Sequence, residues 1–294
     1  MKLQPQTGVE GCAQWLARVA TQSMIEEARL SPKPGLVDSR GNGAHHDLTL
    51  SLMERSAHSL SPTFHALALQ SWKRPADIAL RQLVGRLGRE GEAQMMEATG
   101  GVNTHRGAIW ALGLLVSAAA MHGMEGSSEE IAASAAKLAG LPDSTAPKIF
   151  SKGLRATRRY QVSGAREEAQ QGFPHVMRLA LPQLRRSREA GATEQQARLD
   201  ALMAIMTSLS DTCVLSRAGL EGLETMQNGA RRVLAAGGTA QAAGREALAK
   251  LDGQMLALNA SPGGAADLLA ATLLMDRIAC DDARVTPLPQ HSHL

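Results

Sequence analysis

Residues 104–121 form the stretch that decides the fold, and they read THRGAIWALGLLVSAAAM. Thr104 is a residue type that caps helix N-termini, and the Ala and Leu residues that follow are strong helix formers. The apolar part, Gly107 to Met121, is shorter than the ~20 residues that a helix needs to cross a bilayer. The stretch therefore predicts an apolar helix from Thr104 to Met121 in a protein that is not inserted in a membrane.

The composition of the whole chain extends this prediction. The chain has 294 residues, of which 44% are hydrophobic, 20% are charged and only 2% are aromatic. The core must then consist of Leu, Ala, Val, Ile and Met, which suit helix packing better than an aromatic-rich β-sandwich. No linker or repeat divides the chain. We predict an all-α fold with a single multi-helix domain over residues 1–280, followed by a disordered tail over residues 281–294.

The rest of the chain shows the same helical periodicity. Apolar residues recur at helical spacing between breaks rich in Gly, Pro, Ser or Asn, and the alternating runs typical of strands are missing from the sequence. The predicted helices are Glu10–Leu30, Leu48–Ser59, Ala76–Arg89, Thr104–Met121, Ser128–Ala139, Pro174–Ala190, Thr193–Ser208, Thr212–Ala235, Ala240–Leu258 and Pro262–Cys280.

Charge and cysteine content exclude several classes of protein. A net charge of +3 gives no extended positive field for a nucleic-acid partner. Cys12, Cys213 and Cys280 are odd in number and lack metal-ligand spacing, which is typical of a reducing compartment. The first residues show no signal-peptide pattern. We therefore expect a cytoplasmic protein with no disulfide framework and no membrane segment.

The first of five Gly-rich polar clusters is a long loop between two predicted helices, residues 33–47. Lys33 and Arg40 can neutralise phosphate, while Asp38, Asp47 and the histidines, His45 among them, can bind Mg²⁺ or transfer protons. The alternative is a solvated loop whose Asp47 caps the next helix.

Two further clusters combine glycine with basic residues. Residues 100–107 lead into the apolar helix, where backbone N–H groups and Arg106 favour an anion; the alternative is an ordinary cap with a solvated His105. Residues 160–168 contain the single tyrosine, Tyr160, and Arg166, although such charge runs are usually solvated helix faces.

The last two clusters each place an aspartate near a helix start. Asp211 stands between apolar runs, so it needs a partner or a metal; alternatively it caps a helix while Arg217 pairs with Glu221. In residues 259–267, Gly263 and Gly264 allow close approach of a phosphate and precede Asp267, unless they only serve a Ser-Pro cap and tight packing. Known nucleotide-binding and nucleophile-elbow motifs are missing from the sequence. The five clusters together predict Gly-rich loops that converge on one cleft for a phosphorylated ligand.

Taken in order, these clusters resemble the triphosphoribosyl-dephospho-CoA synthase family over roughly residues 24–275. The resemblance rests on residues 33–38, 43–47, 101–107, 164–168, 172–174, 211–217 and 261–267. Glu167 and Ala218 depart from the expected pattern, because glycine is expected at both positions. The stretch after Asp47, with Ser61-Pro62, is more similar to the branch that serves malonate decarboxylase than to the branch that serves citrate lyase.

The resemblance implies an all-α pentosyltransferase that takes ATP and 3'-dephospho-CoA. Such an enzyme releases adenine and joins the triphosphoribosyl group to the 2'-hydroxyl of dephospho-CoA. The product, 2'-(5''-triphosphoribosyl)-3'-dephospho-CoA, would pass to a phosphoribosyl-dephospho-CoA transferase acting on an acyl-carrier protein. Mg²⁺ is expected with ATP, and the sequence leaves a homodimer open.

Breaking the bond between ribose and adenine requires carboxylates near the sugar, proton transfer, and cations for the triphosphate. The resemblance and this chemistry together select three groups of residues. The predicted catalytic residues are Asp38, His45, Asp47, His105 and Asp211, with His45 or His105 transferring a proton at adenine. The predicted metal ligands are Asp38, Asp47, Asp211 and Asp267. The predicted substrate-binding residues are Lys33, Gly43, Asn103, Thr104, Arg106, Arg166, Glu168, Arg217, Ser261, Gly263 and Gly264.

Two other functions remain open from the sequence. A Mg²⁺-dependent hydrolase of ADP-ribose-type glycosides would need similar acids, and a helical adaptor without enzymatic activity would use its Ala/Leu faces to bind partners. Adenine release that depends on dephospho-CoA separates the transferase from both.

Overall fold

A computed structural model describes residues 8–146 and 152–285. Within these ranges the protein is all-α, as predicted, with thirteen α-helices and one π-helical segment. The helices are α1 Val9–Arg29, α2 Leu50–Ser59, α3 Ser61–Ser71, α4 Ile78–Ala98, α5 Arg106–Met121, α6 Ser128–Gly140, α7 Lys152–Tyr160, α8 Ala165–Gln170, α9 Leu181–Glu189, α10 Glu194–Met206, α11 Thr212–Ala235, α12 Ala242–Ala257 and α13 Gly263–Val285, and the π-helical segment is His175–Ala180.

The apolar stretch quoted first lies at the centre of the fold. Helix α5 packs against α1, α3, α4, α6 and α13, and nearly all its side chains from Ala108 to Ala120 are buried. Because many side chains of α5 are small, these helices can pack closely around it. This packing holds the ends of the helices near one another. Of the helices in the described ranges, none combines the length and apolar character needed to cross a membrane.

Several helix predictions need correction. Thr104 does not cap α5, because the helix begins at Arg106 and the Thr104 hydroxyl lies 2.5 Å from that of Ser56. Helix α3 was not predicted, since Ser61-Pro62 indicated a break; proline is well tolerated in the first turn of a helix. Helix α4 continues to Ala98 beyond the predicted end at Arg89.

Three other differences concern the second half of the chain. Helices α7 and α8 were not predicted, because their polar sequences have no apolar period. The predicted helix Pro174–Ala190 is a π-helical segment followed by α9, with Pro182 near the junction, where its missing N–H removes one helical hydrogen bond. Helix α13 continues to Val285, past the predicted boundary at residue 280, and the rest of the predicted tail lies outside the described residues.

Candidate active site

The loop of residues 33–47 is organised around the carboxylate of Asp38. Asp38 is 3% exposed and accepts hydrogen bonds from the backbone N–H of Lys33 at 2.9 Å and of Arg40 at 2.7 Å. The Arg40 guanidinium adds an ion pair at 2.8 Å. Although burial alone would raise the pKa of Asp38, the hydrogen bonds from Arg40 and Lys33 hold it below its usual value. Asp38 therefore stabilises the loop as an ionised carboxylate.

This loop is attached to the end of α12 and the residues that follow. Asp252 accepts a hydrogen bond from the backbone N–H of Gly35 at 2.9 Å and pairs with Arg40 at 2.8 Å. Gly35 has a φ of +66°, and a Cβ there would lie 2.3 Å from the carbonyl oxygen of Ala260. Only glycine allows this approach. The predicted first and fifth clusters thus meet in space.

His45 and Arg217 link the same two clusters to α11. His45 Nε2 lies 2.8 Å from the Ser261 hydroxyl, and its Nδ1 lies 3.7 Å from the exposed carboxylate of Asp47. The Arg217 guanidinium donates to the carbonyl oxygens of Asn259 and Ala44. Burial and the positive charge of Arg217 lower the pKa of His45. The imidazole is therefore mainly neutral at pH 7 and able to accept a proton.

Arg217 thus binds the backbone of the two clusters, where the alternative interpretation paired it with Glu221. The Arg217 side chain spans from α11 to the loop before α13 and to the loop of residues 33–47. We infer that it fixes the distance between the predicted fourth cluster and the first and fifth clusters.

Lys33 lies inside the protein, so its ammonium is not displayed to solvent. The side chain is 2% exposed, and Nζ lies 2.5 Å from a carboxylate oxygen of Glu27 and 2.7 Å from the Glu27 carbonyl oxygen. Glu27 was missed by the sequence analysis, although it follows Leu16 and Ala20 on one face of α1 at helical spacing. An acid on an otherwise apolar helix face was the available signal.

His105 is buried beside this ion pair. Its Nδ1 lies 2.7 Å from the Ser56 hydroxyl, while its Nε2 has no hydrogen-bond partner within the described ranges. Burial, assisted by the positive charge of Lys33, lowers the pKa of His105 to about 3. His105 is therefore neutral, and the alternative of a solvated His105 is wrong.

Asp211 caps α11 and also holds the start of α13. One of its oxygens accepts hydrogen bonds from the backbone N–H groups of Cys213 at 2.8 Å and Val214 at 3.2 Å. The other accepts from the N–H of Ala265 at 2.9 Å. Burial raises the pKa of Asp211. The capping interpretation is confirmed, and the same carboxylate connects the N-termini of two helices.

Asp267 brings a third helix N-terminus to this place. Its carboxylate accepts a hydrogen bond from the backbone N–H of Ala108 in the first turn of α5. Burial, followed by the negative charges of Glu27 and Asp211, raises the pKa of Asp267 well above its usual value. The residue nevertheless keeps partial exposure to solvent. Asp267 therefore holds a proton more tightly than an ordinary aspartate.

Cys213 borders the same region. Its side chain is exposed, yet burial among the surrounding atoms, together with the charges of Asp211 and Asp267, raises the pKa of its thiol. We call the region around Asp211, Cys213 and Asp267, where α5, α11 and α13 begin, the carboxylate cleft.

Gly107 controls how Asp267 meets α5. A Cβ at position 107 would lie 2.0 Å from Asp267 Oδ2. We expect Gly107→Ala to displace this carboxylate and to lower the rate of the reaction proposed below by about 10²-fold, because small misplacements of reacting groups are costly. The fold should survive, since alanine favours helix over glycine. Adenine release and a thermal denaturation curve measure the two effects.

The matched control is Gly253→Ala in α12. A Cβ at Gly253 would have no atom within 4 Å, so this variant should keep full activity. Equal activity of both variants would show that the position of Asp267 does not matter for the reaction.

The remaining predicted residues divide into those near the cleft and those elsewhere. Arg106 pairs with Glu92, with its Nε 2.6 Å from Oε1, and its backbone N–H donates to Asn103 at 3.3 Å. A Cβ at Gly263 would lie 3.1 Å from the Cys213 sulfur and one at Gly264 would lie 3.0 Å from Asp211 Oδ2, so both glycines adjoin the cleft.

Three predicted residues have local structural contacts. Gly43 has a φ of +57° and lies against the carbonyl of Leu36. Glu168 is buried. One of its carboxylate oxygens accepts a hydrogen bond from the backbone N–H of His175 at 2.9 Å, and the other lies 2.7 Å from His175 Nδ1. Arg166 lines a cavity together with Arg81 and Trp110.

The residues that could hold a metal ion do not form a complete protein site. In residues 8–146 and 152–285, no group of three or more His, Cys, Asp or Glu side chains is arranged to bind a metal. Mg²⁺ bound with a nucleotide usually takes only one or two carboxylates and completes its shell with phosphate oxygens and water. Asp267, assisted by Asp211, fits that smaller requirement.

Comparison with known proteins gives concordant results. Residues 13–285 match a family model described as ATP:dephospho-CoA triphosphoribosyl transferase. A Klebsiella pneumoniae protein named 2-(5''-triphosphoribosyl)-3'-dephosphocoenzyme-A synthase is 76% identical over 270 residues, which covers 92% of this chain and 96% of the relative. A protein from Stutzerimonas stutzeri with the same name, qualified as probable, is 62% identical over 269 residues, covering 90% of this chain and 92% of the relative. No solved structure matches.

Proposed function

Because the chain belongs to the ATP:dephospho-CoA triphosphoribosyl transferase family, we propose that it transfers the triphosphoribosyl group of ATP to 3'-dephospho-CoA. The observation that carries this proposal is the position of residues 261–267. Ser261 contacts His45, Ala265 contacts Asp211, and Asp267 contacts the first turn of α5. One short segment thus joins a neutral imidazole to two carboxylates.

The proposed reaction breaks one bond and forms one bond. The bond between the ribose anomeric carbon and adenine breaks, and its electron pair leaves with adenine, which takes up a proton. The 2'-oxygen of dephospho-CoA bonds to the same carbon and gives up its proton. The transition state carries positive charge on the ribose, so an acid–base group and nearby carboxylates lower its free energy.

We assign the proton transfer at the attacking hydroxyl to His45. Its pKa is lowered, so its neutral form suits a base. Its Nε2 lies 2.8 Å from the Ser261 hydroxyl, while its Nδ1 lies 3.3 Å from the Arg217 guanidinium and 3.7 Å from the Asp47 carboxylate. His105, whose pKa is about 3, is not protonated at neutral pH. It therefore carries no imidazolium proton to donate to adenine. The sequence had suggested that His45 or His105 transfers a proton to adenine. The present assignment instead places His45 at the attacking hydroxyl and gives His105 no proton transfer.

We assign the Mg²⁺ of the nucleotide to Asp267, with support from Asp211. When bound, Mg²⁺ would neutralise the charge of the triphosphate. Arg106 and Arg217, whose side chains are partly exposed, remain candidates for phosphate contacts. Lys33 and Asp38 already have partners inside the protein, and we assign both to positioning.

The assignment to His45 predicts a particular pH profile. Because the pKa of His45 lies below 6.5, kcat/KM should stay constant as pH falls to that value and then decline as the imidazole is protonated. His45→Gln should lose about 10²–10⁴-fold in rate and keep only the acidic decline that protonation of Asp267 causes. His46→Gln, which removes the smallest of the effects on the pKa of His45, should keep the rate near that of the wild type and raise the midpoint of the profile only slightly. An acidic limb with the same midpoint in the wild type and in His45→Gln would assign it to a group other than His45.

The decisive experiment incubates the protein with ATP, Mg²⁺ and 3'-dephospho-CoA and follows adenine by chromatography. The transferase requires adenine that appears only with dephospho-CoA, together with a product whose mass includes the triphosphoribosyl group. Adenine that forms equally fast without the acceptor would indicate a glycoside hydrolase. An absence of adenine under all conditions would favour the helical adaptor.

We further propose that the product supplies the prosthetic group of malonate decarboxylase, through a transferase that loads its acyl-carrier subunit. Support comes from the sequence after Asp47, which resembles that branch. Loading of the acyl-carrier subunit in a mixture with that transferase tests the proposal. We also propose a cytoplasmic location, since the three cysteines of the sequence are odd in number and lack metal-ligand spacing, which is typical of a reducing compartment; the homodimer stays a prediction that a sedimentation measurement checks.

A further inference from the structure

A cavity of about 310 Å³ lies between α4 and α5, on a different face of α5 from the one that meets Asp267. We call it the α4–α5 pocket. One wall is a face of α4. The other wall is the facing side of α5, where the lining residues are spaced at i, i+3, i+4 and i+7. The lining residues on these helices include Arg81, Val84, Gly88, Arg106, Ile109 and Trp110.

Glycines on both walls bring other groups close, and one of them faces free space: a Cβ at Gly85 would lie 2.1 Å from Asp143 Oδ2 and one at Gly113 would lie 3.2 Å from Leu67. Gly85 and Gly88 lie on α4, and Gly113 lies on α5. A Cβ added at Gly88 would meet its nearest atom, of Ile109, only at 3.9 Å, so this wall opens into free space. The volume is at the lower end of the ~300–1,000 Å³ found for small-molecule sites.

The charged groups around the pocket are paired with each other. Asp143 is bound by Arg89 at 2.9 Å and by Arg81 at 3.4 Å, and Arg106 pairs with Glu92 at the other end. Arg81 and Arg89 share the one carboxylate of Asp143, so the lining carries one more positive than negative side chain. The walls between these pairs are largely apolar, with Val84 and Ile109 among them.

One hydrogen-bond donor in the pocket wall is unused. Arg81 is 8% exposed, and its guanidinium lies 5.4 Å from the centre of the Trp110 ring. Its Nε–H has no partner among the described residues. A buried donor without a partner costs free energy that a ligand can recover. A neutral carbonyl oxygen would satisfy this N–H without adding a charge.

We propose that the α4–α5 pocket binds the pantetheine arm of 3'-dephospho-CoA, an inference that rests on the proposed function. The arm is uncharged, carries two amide groups and a dimethyl carbon, and takes no part in the reaction. The unused donor of Arg81 fits an amide carbonyl, and the apolar walls fit the methyl and methylene groups. Arg106, which borders the pocket in the first turn of α5, lies where the diphosphate would connect the arm to the reacting nucleoside.

The test fills the pocket and compares two ligands by calorimetry. ADP is dephospho-CoA without the pantetheine arm; with the donor site saturated by ATP and Mg²⁺ withheld to prevent turnover, it reports on binding of the acceptor nucleotide alone. We expect the wild-type protein to bind dephospho-CoA more tightly than ADP. Gly88→Leu should weaken dephospho-CoA by at least about tenfold and leave the Kd of ADP unchanged. In turnover, the KM for dephospho-CoA should rise while the KM for ATP stays constant.

Two further variants keep the test decisive. Gly253→Leu makes the same change on an exposed face of α12, and it should alter neither ligand. Gly88→Ala adds a Cβ that fits without a clash, so it should fold even if Gly88→Leu does not, with a smaller loss in the same direction.

The results separate the two proposals. Equal weakening of ADP and dephospho-CoA by Gly88→Leu would place the nucleotide in the pocket and overturn the inference, and so would unchanged binding of both ligands. A wild-type protein that binds no dephospho-CoA and forms no adenine would instead overturn the proposed function.

Discussion

Asp267→Asn should slow adenine formation severely while the protein stays at least as stable as the wild type. The carboxylate has its pKa raised well above the usual value by burial and by the charges of Glu27 and Asp211, so its ionised form is costly in the folded state. Asparagine keeps an oxygen that can accept the Ala108 N–H but has no charge to offer Mg²⁺. We expect a loss of about 10³-fold in rate, measured by adenine release.

The stability effect of Asp267→Asn should depend on pH with a definite sign. The folded state holds the Asp267 proton to a higher pH than the unfolded state, whose aspartates titrate near pH 3.9. Stability of the wild type therefore falls as pH rises from about 4 towards the raised pKa. The melting temperature of the variant, relative to the wild type, should increase over that range.

Asp276→Asn is the matched control on the same helix. Asp276 pairs with Arg188 at 2.9 Å and lies outside the carboxylate cleft. This change should lower stability slightly and keep activity. An Asp267→Asn variant that folds and retains nearly the full rate would remove Asp267 from the mechanism.

Asp211→Ala should show the opposite pattern, a large loss of stability. The carboxylate caps α11 and accepts the buried N–H of Ala265. Loss of a helix cap costs about 1 kcal/mol, and a buried N–H without a partner costs about 1–3 kcal/mol. We expect the free energy of unfolding to fall by about 2–4 kcal/mol, measured by urea denaturation, with activity falling as the starts of α11 and α13 separate.

Asp211→Asn tests which of the two contacts matters. Its oxygen can still cap α11, but its amide N–H₂ would face the N–H of Ala265. An intermediate loss of stability is therefore expected. If Asp211→Ala unfolds at the same urea concentration as the wild type, Asp211 does not hold the two helices together.

Much of the helical fold could be predicted because apolar residues at helical spacing indicate helices locally along the chain. The apolar period of α1, α5, α10 and α13 marks segments that must bury one face or all faces, and their caps and breaks lie within a few residues. Helices α7 and α8 escaped prediction because their polar sequences have no such period. Helix α3 escaped because Ser61-Pro62 indicates both a break and a helix start.

The candidate site could be predicted only in part. The sequence predicted functional sites around Asp38, Asp211 and Asp267, and the contacts that distinguish the three carboxylates come from distant parts of the chain. Asp38 is held by Arg40, and Asp211 is engaged by three backbone groups, whereas Asp267 keeps access to solvent. Spacing along the chain carries no information about these partners.

From the sequence alone, the all-α fold, the family and the positions of the Gly-rich clusters along the chain could be predicted. This was possible because helical period, glycine and short motifs are local properties. The tertiary structure decided that His45 meets Ser261, that Lys33 turns inward to Glu27, and that Asp267 meets the first turn of α5. These contacts set burial and charge around each group, and burial and neighbouring charges fix pKa values and therefore chemical roles.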